Sequence, residues 1–124
     1  MRLIVDANIV FSGILNTNSR IGDLLINSKP YFTFISPHFL TTEIRNHYSK
    51  LNKVSGLTLP EVQEAEIQIC KNILFISEEQ IKISHWIAAH LLVADIDPKD
   101  TLYIAYSNHF HCKVWSGDKA LIKD

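Results

Sequence analysis

At 124 residues and 14.2 kDa the chain has the length of one domain, and its 47% hydrophobic residues are enough for a buried core. A mean hydropathy of +0.07, 20% charged residues and only 4 Gly and 4 Pro exclude disorder, collagen-like repeats and low-complexity sequence. The net charge of −1 with neutral histidines and a pI of about 6.6 exclude a wholesale basic coat for nucleic acid, though not a local site acting on it.

The chain alternates short β-like runs with longer helical patterns. Leu3-Ile4-Val5 reads as a buried strand, and Asp6 directly after it is placed to cap a helix. Ile21, Leu24 and Leu25 give a second helical pattern that ends by Lys29-Pro30, and Phe32–Ile35 reads as a strand. Ser36 and Pro37 are expected to open the next helix as N-cap and first helical residue. In that helix Leu40, Ile44, Tyr48 and Leu51 form one continuous apolar face, ended by Gly56. Thr58 and Glu61 make a capping box for a helix to about Lys71, followed by a strand at Leu74–Ile76. Ser77 and Gln80 suggest a further capping box, with a helix to about Val93. Asp97-Pro98 starts another helix through Tyr106. Lys113–Ser116 is the fourth strand, and Gly117-Asp118 turns into a last helical turn. Short apolar strands separated by one or two helices imply parallel pairing with crossover helices on both faces. The expected fold is α/β: a single domain over 1–124, three layers deep around a parallel sheet of four or so strands.

Cys70 and Cys112 are too few for a disulfide framework and lack metal-ligand spacing. Met1 and Arg2 lead straight into the first strand, with no secretory leader, and no apolar run approaches the ~20 residues of a membrane span. A reducing, cytoplasmic setting without membrane contact is expected.

In an open parallel sheet, ligands bind beyond the carboxyl ends of the strands, where the strand order reverses. Asp6 follows the first strand and Asp118 the fourth, while Asp97 and Asp100 start the helix before the fourth strand. Glu43 lies on the row Phe39-Glu43-His47 beside the apolar face. Each acid has an ordinary explanation alone. Asp6 and Asp97 suit helix N-caps, Asp100 a helix dipole, Glu43 a solvated face and Asp118 a turn. Their joint placement is what points to chemistry. Converging carboxylates repel unless a cation neutralises them, and an oxygen-only donor set suits Mg²⁺ or Mn²⁺. Such an ion polarises phosphoryl oxygens and lowers the pKa of water, the requirements of phosphodiester hydrolysis.

The stretches Leu3–Val10, Ser36-Pro37 with Glu43-Ile44, Asp97–Asp100 with Ile104-Ala105, and Trp115–Lys119 occur in an order and spacing that resemble the PIN-domain ribonucleases. That family includes the toxin halves of bacterial toxin–antitoxin pairs. The resemblance covers essentially the whole chain. It implies a metal-dependent endoribonuclease, with Asp6, Glu43, Asp100 and Asp118 matching the acidic quartet that holds Mg²⁺ or Mn²⁺. Asp97 matches a more variable extra acid, and Asn8 and Ser116 match supporting polar positions. The implied partners are an RNA substrate, an antitoxin protein and a second copy of the chain. Members of the family commonly continue past the position of Asp124 into another short strand and helix, so the resemblance implies either a domain shortened at its C-terminus or a sequence trimmed there.

Among the cations, Lys99 and Lys119 neighbour implied ligands, and Arg45, Lys50 and Lys53 extend along the Glu43 helix; with Arg20 they are candidates for RNA phosphate contacts. The six histidines, including His47, His85, His109 and His111, show no H-E-x-x-H spacing and read as surface or core residues. Trp86, Tyr106 and Trp115 read as core. A phosphotransferase using Asp6 as nucleophile would want an acid where Asn8 stands, and no phosphate-binding glycine loop occurs. The competing class is a non-catalytic PIN-like RNA- or protein-binding module, whose mark would be a degenerate acidic set.

Overall fold

A computed structural model describes residues 1–93 and 98–115, without the side chains of 88, 90–93 and 98–100. Four strands form one all-parallel sheet: β1 (Arg2–Val5), β2 (Thr33–Pro37), β3 (Ile73–Ile76) and β4 (Lys113–Trp115), in the order β3-β2-β1-β4. Helices α1 (Ala7–Leu15) and α2 (Arg20–Asn27) join β1 to β2. The chain then passes through α3 (Phe39–Asn46), α4 (Tyr48–Ser55) and α5 (Leu59–Cys70) to β3. A 3₁₀ turn (Glu78–Gln80), α6 (Ile83–Val93) and α7 (Pro98–Phe110) precede β4. These elements make the expected three-layer α/β sandwich.

Side-chain alternation along the strands builds two cores. Val5, Phe34 and Ile73 point to one face and pack with Val10, Leu25, Leu40, Ile44, Leu51 and Ile69 of α1 to α5. Ile4, Ile35 and Val114 point to the other and pack with Ala89 of α6 and Tyr103 to Tyr106 of α7. The handedness of parallel crossovers explains the division. Steps from β1 to β2 to β3 run one way along the sheet, and the return from β3 to β4 runs the other way, so its helices fall on the opposite face. The strand order therefore reverses at β1, and Asp6 N–H donates to the Trp115 carbonyl (3.3 Å) at that point.

Three local expectations are corrected. Ser36 and Pro37 do not open a helix: β2 runs through Pro37, which pairs with Ile76, and Ser36 Oγ donates to the Val5 carbonyl at 2.9 Å. The α3 N-terminus is capped across the fold instead, Phe39 N–H donating to Glu78 Oε1 (2.9 Å). The apolar helix from Leu40 to Leu51 is two helices broken at His47 (φ −105°, ψ 11°). Ser77 caps only the 3₁₀ turn, and α6 begins later, at Ile83. The Thr58–Glu61 capping box and the left-handed Gly56 (φ 75°) are as expected. So is the core position of Tyr106; Trp86 and Trp115 are partly buried against the two cores. Neither cysteine is in a disulfide, and burial pushes the Cys70 thiol up to about 12, so it stays protonated.

His109 lies in the last turn of α7. Its ring meets His85 of α6 edge to face at 5.4 Å. Burial, and then the neighbouring His85, Lys82 and His111, hold it below the ordinary histidine range. The unfolded chain takes up this proton more readily. The stabilisation is thus present above the ordinary value of about 6.5 and is lost as pH falls through the lower folded value. Thermal unfolding should occur at lower temperature at pH 5 than at pH 7.5, and His109→Gln should flatten that difference.

Candidate active site

Asp6 is the residue on which β1 ends and α1 begins. Its side chain accepts from Ile9 N–H at 3.1 Å, and the positive end of the α1 dipole favours its carboxylate. The Ser36 bond to Val5 fixes the peptide immediately before it, and the Asp6 N–H bond to Trp115 ties it to β4. Asp6 is only 4% exposed, so a capping acid has been carried to the floor of the fold rather than left at its rim.

Glu43 lies on α3 and is only 6% exposed. The solvated-face reading of Glu43 is therefore corrected: it is buried on a helix against which α1 and α4 pack. Burying a carboxylate is costly unless something there compensates its charge, and two acids from separate segments share this location.

Asp6 and Glu43 line one cleft of about 560 Å³ at the carboxyl ends of the central strands. Asn8, Phe11 and Ser12 of α1 form one wall, His47 and Lys50 around the α3–α4 break form another, and Tyr103 of α7 contributes from below. Asn8 thus lines the same cleft as Asp6. Asp100 belongs to α7, three positions before Tyr103, while its side chain and that of Lys99 are not described. Asp97, Ser116, Asp118 and Lys119 lie outside the described residues. Among the described residues no three His, Cys, Asp or Glu side chains converge.

The candidate cations separate. Lys50 lines the cleft, whereas Arg45 is exposed and outside its lining, and Arg20 borders a different depression with Asp23. Sequence reasoning passed over His47 as a ligand-facing residue and did not single out Tyr103. For Tyr103 the available signal was its spacing, one helical turn after Asp100.

His47 owes its place to the helix break. Its backbone N–H donates to the Glu43 and Ile44 carbonyls (3.2 and 3.1 Å), and its Nδ1 lies 2.7 Å from the same Glu43 oxygen. A side chain bonding into the helical ladder in this way is a recognised cause of kinks. Here the kink turns α4 so that Lys50 and Leu51 face the cleft. On the far side of α4, Tyr48 donates to Glu66 of α5. Burial, then that bond, pushes the phenol up to about 12.

No helix among the described residues is long and apolar enough to cross a membrane. No curated protein and no solved structure matches the chain significantly. The sequence profile of the PIN domain matches residues 4–124, nearly the whole length, and the all-parallel sheet with the cleft beyond β1 agrees with it. The chain belongs to the PIN-domain family, whose members are generally nucleases that use divalent metal ions.

Proposed function

We propose that the chain is a Mg²⁺- or Mn²⁺-dependent endoribonuclease that hydrolyses phosphodiester bonds of single-stranded or looped RNA. The observation that carries this reading is the pair of buried carboxylates, Asp6 and Glu43, on one open cleft at the point where strand order reverses. Their donor atoms are all oxygen, and two buried acids on one cleft fit a hard divalent cation that offsets their repulsion. Asp6 and Glu43, with Asp100 and Asp118 and with Asp97 as the extra acid, are the residues that would hold it. Bound there, the ion would stabilise the charge that develops on the phosphoryl oxygens and lower the pKa of water.

The remaining roles fall to the chain's own groups. Lys50 supplies a cation for a phosphate of the bound strand, joined by Lys99 and Lys119 from the segments of the other two acids. Arg45, outside the cleft lining, takes phosphates further along the strand. Asn8 orients the Asp6 carboxylate or a water beside it, and Ser116 hydrogen-bonds a carboxylate or a phosphate. Water attacks phosphorus and the ester oxygen leaves, with no covalent enzyme intermediate.

We also propose that this nuclease is the toxin of a toxin–antitoxin pair acting in the cytoplasm. Its small size and the family's membership support that role, as they support pairing with a second copy. A neighbouring small open reading frame whose product suppresses cleavage is the expected observation.

The test is incubation of a mixed single-stranded RNA pool with the protein in Mn²⁺, in Mg²⁺ and in EDTA. Cutting in one or both metals that stops in EDTA is expected. A folded chain that binds RNA without cutting it in either metal would instead be a binding module.

A further inference from the structure

We propose that His47 distinguishes ribose from deoxyribose in this cleft, its Nε2 accepting a hydrogen bond from the 2′-hydroxyl of a bound RNA nucleotide; this rests on the endoribonuclease reading and deepens it. The assignment starts from the proton on the imidazole. His47 Nδ1 lies 2.7 Å from the Glu43 carbonyl oxygen. A carbonyl can only accept, so Nδ1 carries the hydrogen, and in the neutral ring Nε2 is left as a lone pair. The ring is also held in place. Its own backbone N–H bonds to the same Glu43 oxygen, and the Phe11 ring packs against it at 5.4 Å with a tilt of 51°. His47 lines the cleft that contains Asp6 and Glu43, and with Nδ1 engaged at the Glu43 carbonyl, Nε2 is the remaining polar atom of the ring.

A lone pair selects donors. Phosphate oxygens, the sugar ring oxygen and the ester oxygens of a nucleic acid strand are acceptors and do not satisfy it. The donor that every RNA nucleotide carries and DNA lacks is the 2′-hydroxyl. The exocyclic amines of bases are donors too, but they would impose a base preference instead of a sugar preference. Lys50, three residues on and lining the same cleft, provides the phosphate-directed cation that His47 in this tautomer does not. The two residues therefore divide one nucleotide between them, phosphate to Lys50 and sugar to His47.

The test uses the whole chain in EDTA, so that no strand is cut, with fluorescence anisotropy of labelled mixed-sequence RNA and of the matching DNA. Wild type should prefer RNA, and His47→Ala should reduce that RNA-to-DNA preference by about 5-fold, the scale of one net hydrogen bond, on top of any loss common to both strands from the altered α3–α4 junction. A role confined to joining α3 and α4 predicts equal loss for both strands, and an unchanged RNA-to-DNA ratio overturns the proposal alone. Wild type by itself gives a second reading. A series of RNAs with single deoxyriboses should show one position where affinity drops by about 5-fold, and its absence overturns the proposal even if His47→Ala does not fold. A preference that follows base identity and ignores the sugar also overturns it. Failure of wild type to bind or cut either strand overturns the endoribonuclease reading, and this proposal with it.

Discussion

Asp6→Asn is expected to lower metal-dependent RNA cleavage by about 10³-fold, the upper range for loss of one preorganised electrostatic contact to the reacting group, while leaving the fold in place. The substitution isolates charge from architecture. Asp6 has two roles, capping α1 through Ile9 N–H at 3.1 Å and presenting a carboxylate to the cleft. Asparagine caps a helix about as well as aspartate and has the same shape, so the first role survives within about 1 kcal/mol. Only the formal charge is lost. Asp6→Ala would remove both and add a stability loss of about 1 kcal/mol. A second readout does not depend on turnover. An ion bound to the folded state raises stability by about 2.7 kcal/mol at a hundred times its dissociation constant. Mn²⁺ should therefore raise the melting temperature of wild type and have little effect on Asp6→Asn. Equal cleavage by the two proteins would identify a contaminating nuclease, and equal stabilisation of both by Mn²⁺ would remove Asp6 from the metal site.

The sequence discloses Asp6 because its signals are local: an apolar run, an acid, then a helical pattern. The same holds for the Thr58–Glu61 box, whose two reciprocal bonds span three residues. Ser36-Pro37 misled because the local pattern of a helix start was outweighed by partners far along the chain. Pro37 is held in β2 by pairing with β3, and Ser36 Oγ is held by the Val5 carbonyl, 31 residues away. The break at His47 was hidden for a different reason. Leu40, Ile44 and Leu51 are all buried on the same core despite the kink, so apolar spacing alone does not register it. Taken alone, Glu43 fits a solvated face, because its neighbours α1 and α4 are not contained in any pattern within α3. The family resemblance drew Glu43 into the candidate site before geometry did. Residues such as His47 and Tyr103, which enter the cleft through a kink and from the opposite layer, needed the fold to be seen.

Phe34→Ala should destabilise the protein by about 3–5 kcal/mol, the range for emptying a large aromatic side chain from a packed core. Phe34, the second residue of β2, is only 1% exposed. Its ring lies 6.0 Å from Phe32 and 5.8 Å from Trp115, so the cavity would open beside these rings in the core that faces α1 to α5. Domains of this size have a total stability of about 5–15 kcal/mol, and the loss is therefore a large share of it. The melting temperature should fall by about 10–20 °C. Trp115 also accepts the backbone bond from Asp6 N–H, so loosening its packing reaches the strand ends where the cleft is built. For that reason Phe34→Ala should weaken RNA cleavage more than its folded fraction alone accounts for. Leu102→Ala is the matched control, on the opposite face and only partly buried. It should cost less stability and leave activity per folded molecule unchanged. Thermal unfolding of the three proteins, with cleavage rates normalised to folded protein, separates the two effects. A melting temperature for Phe34→Ala within a few degrees of wild type would show that this core does not hold the sheet as described.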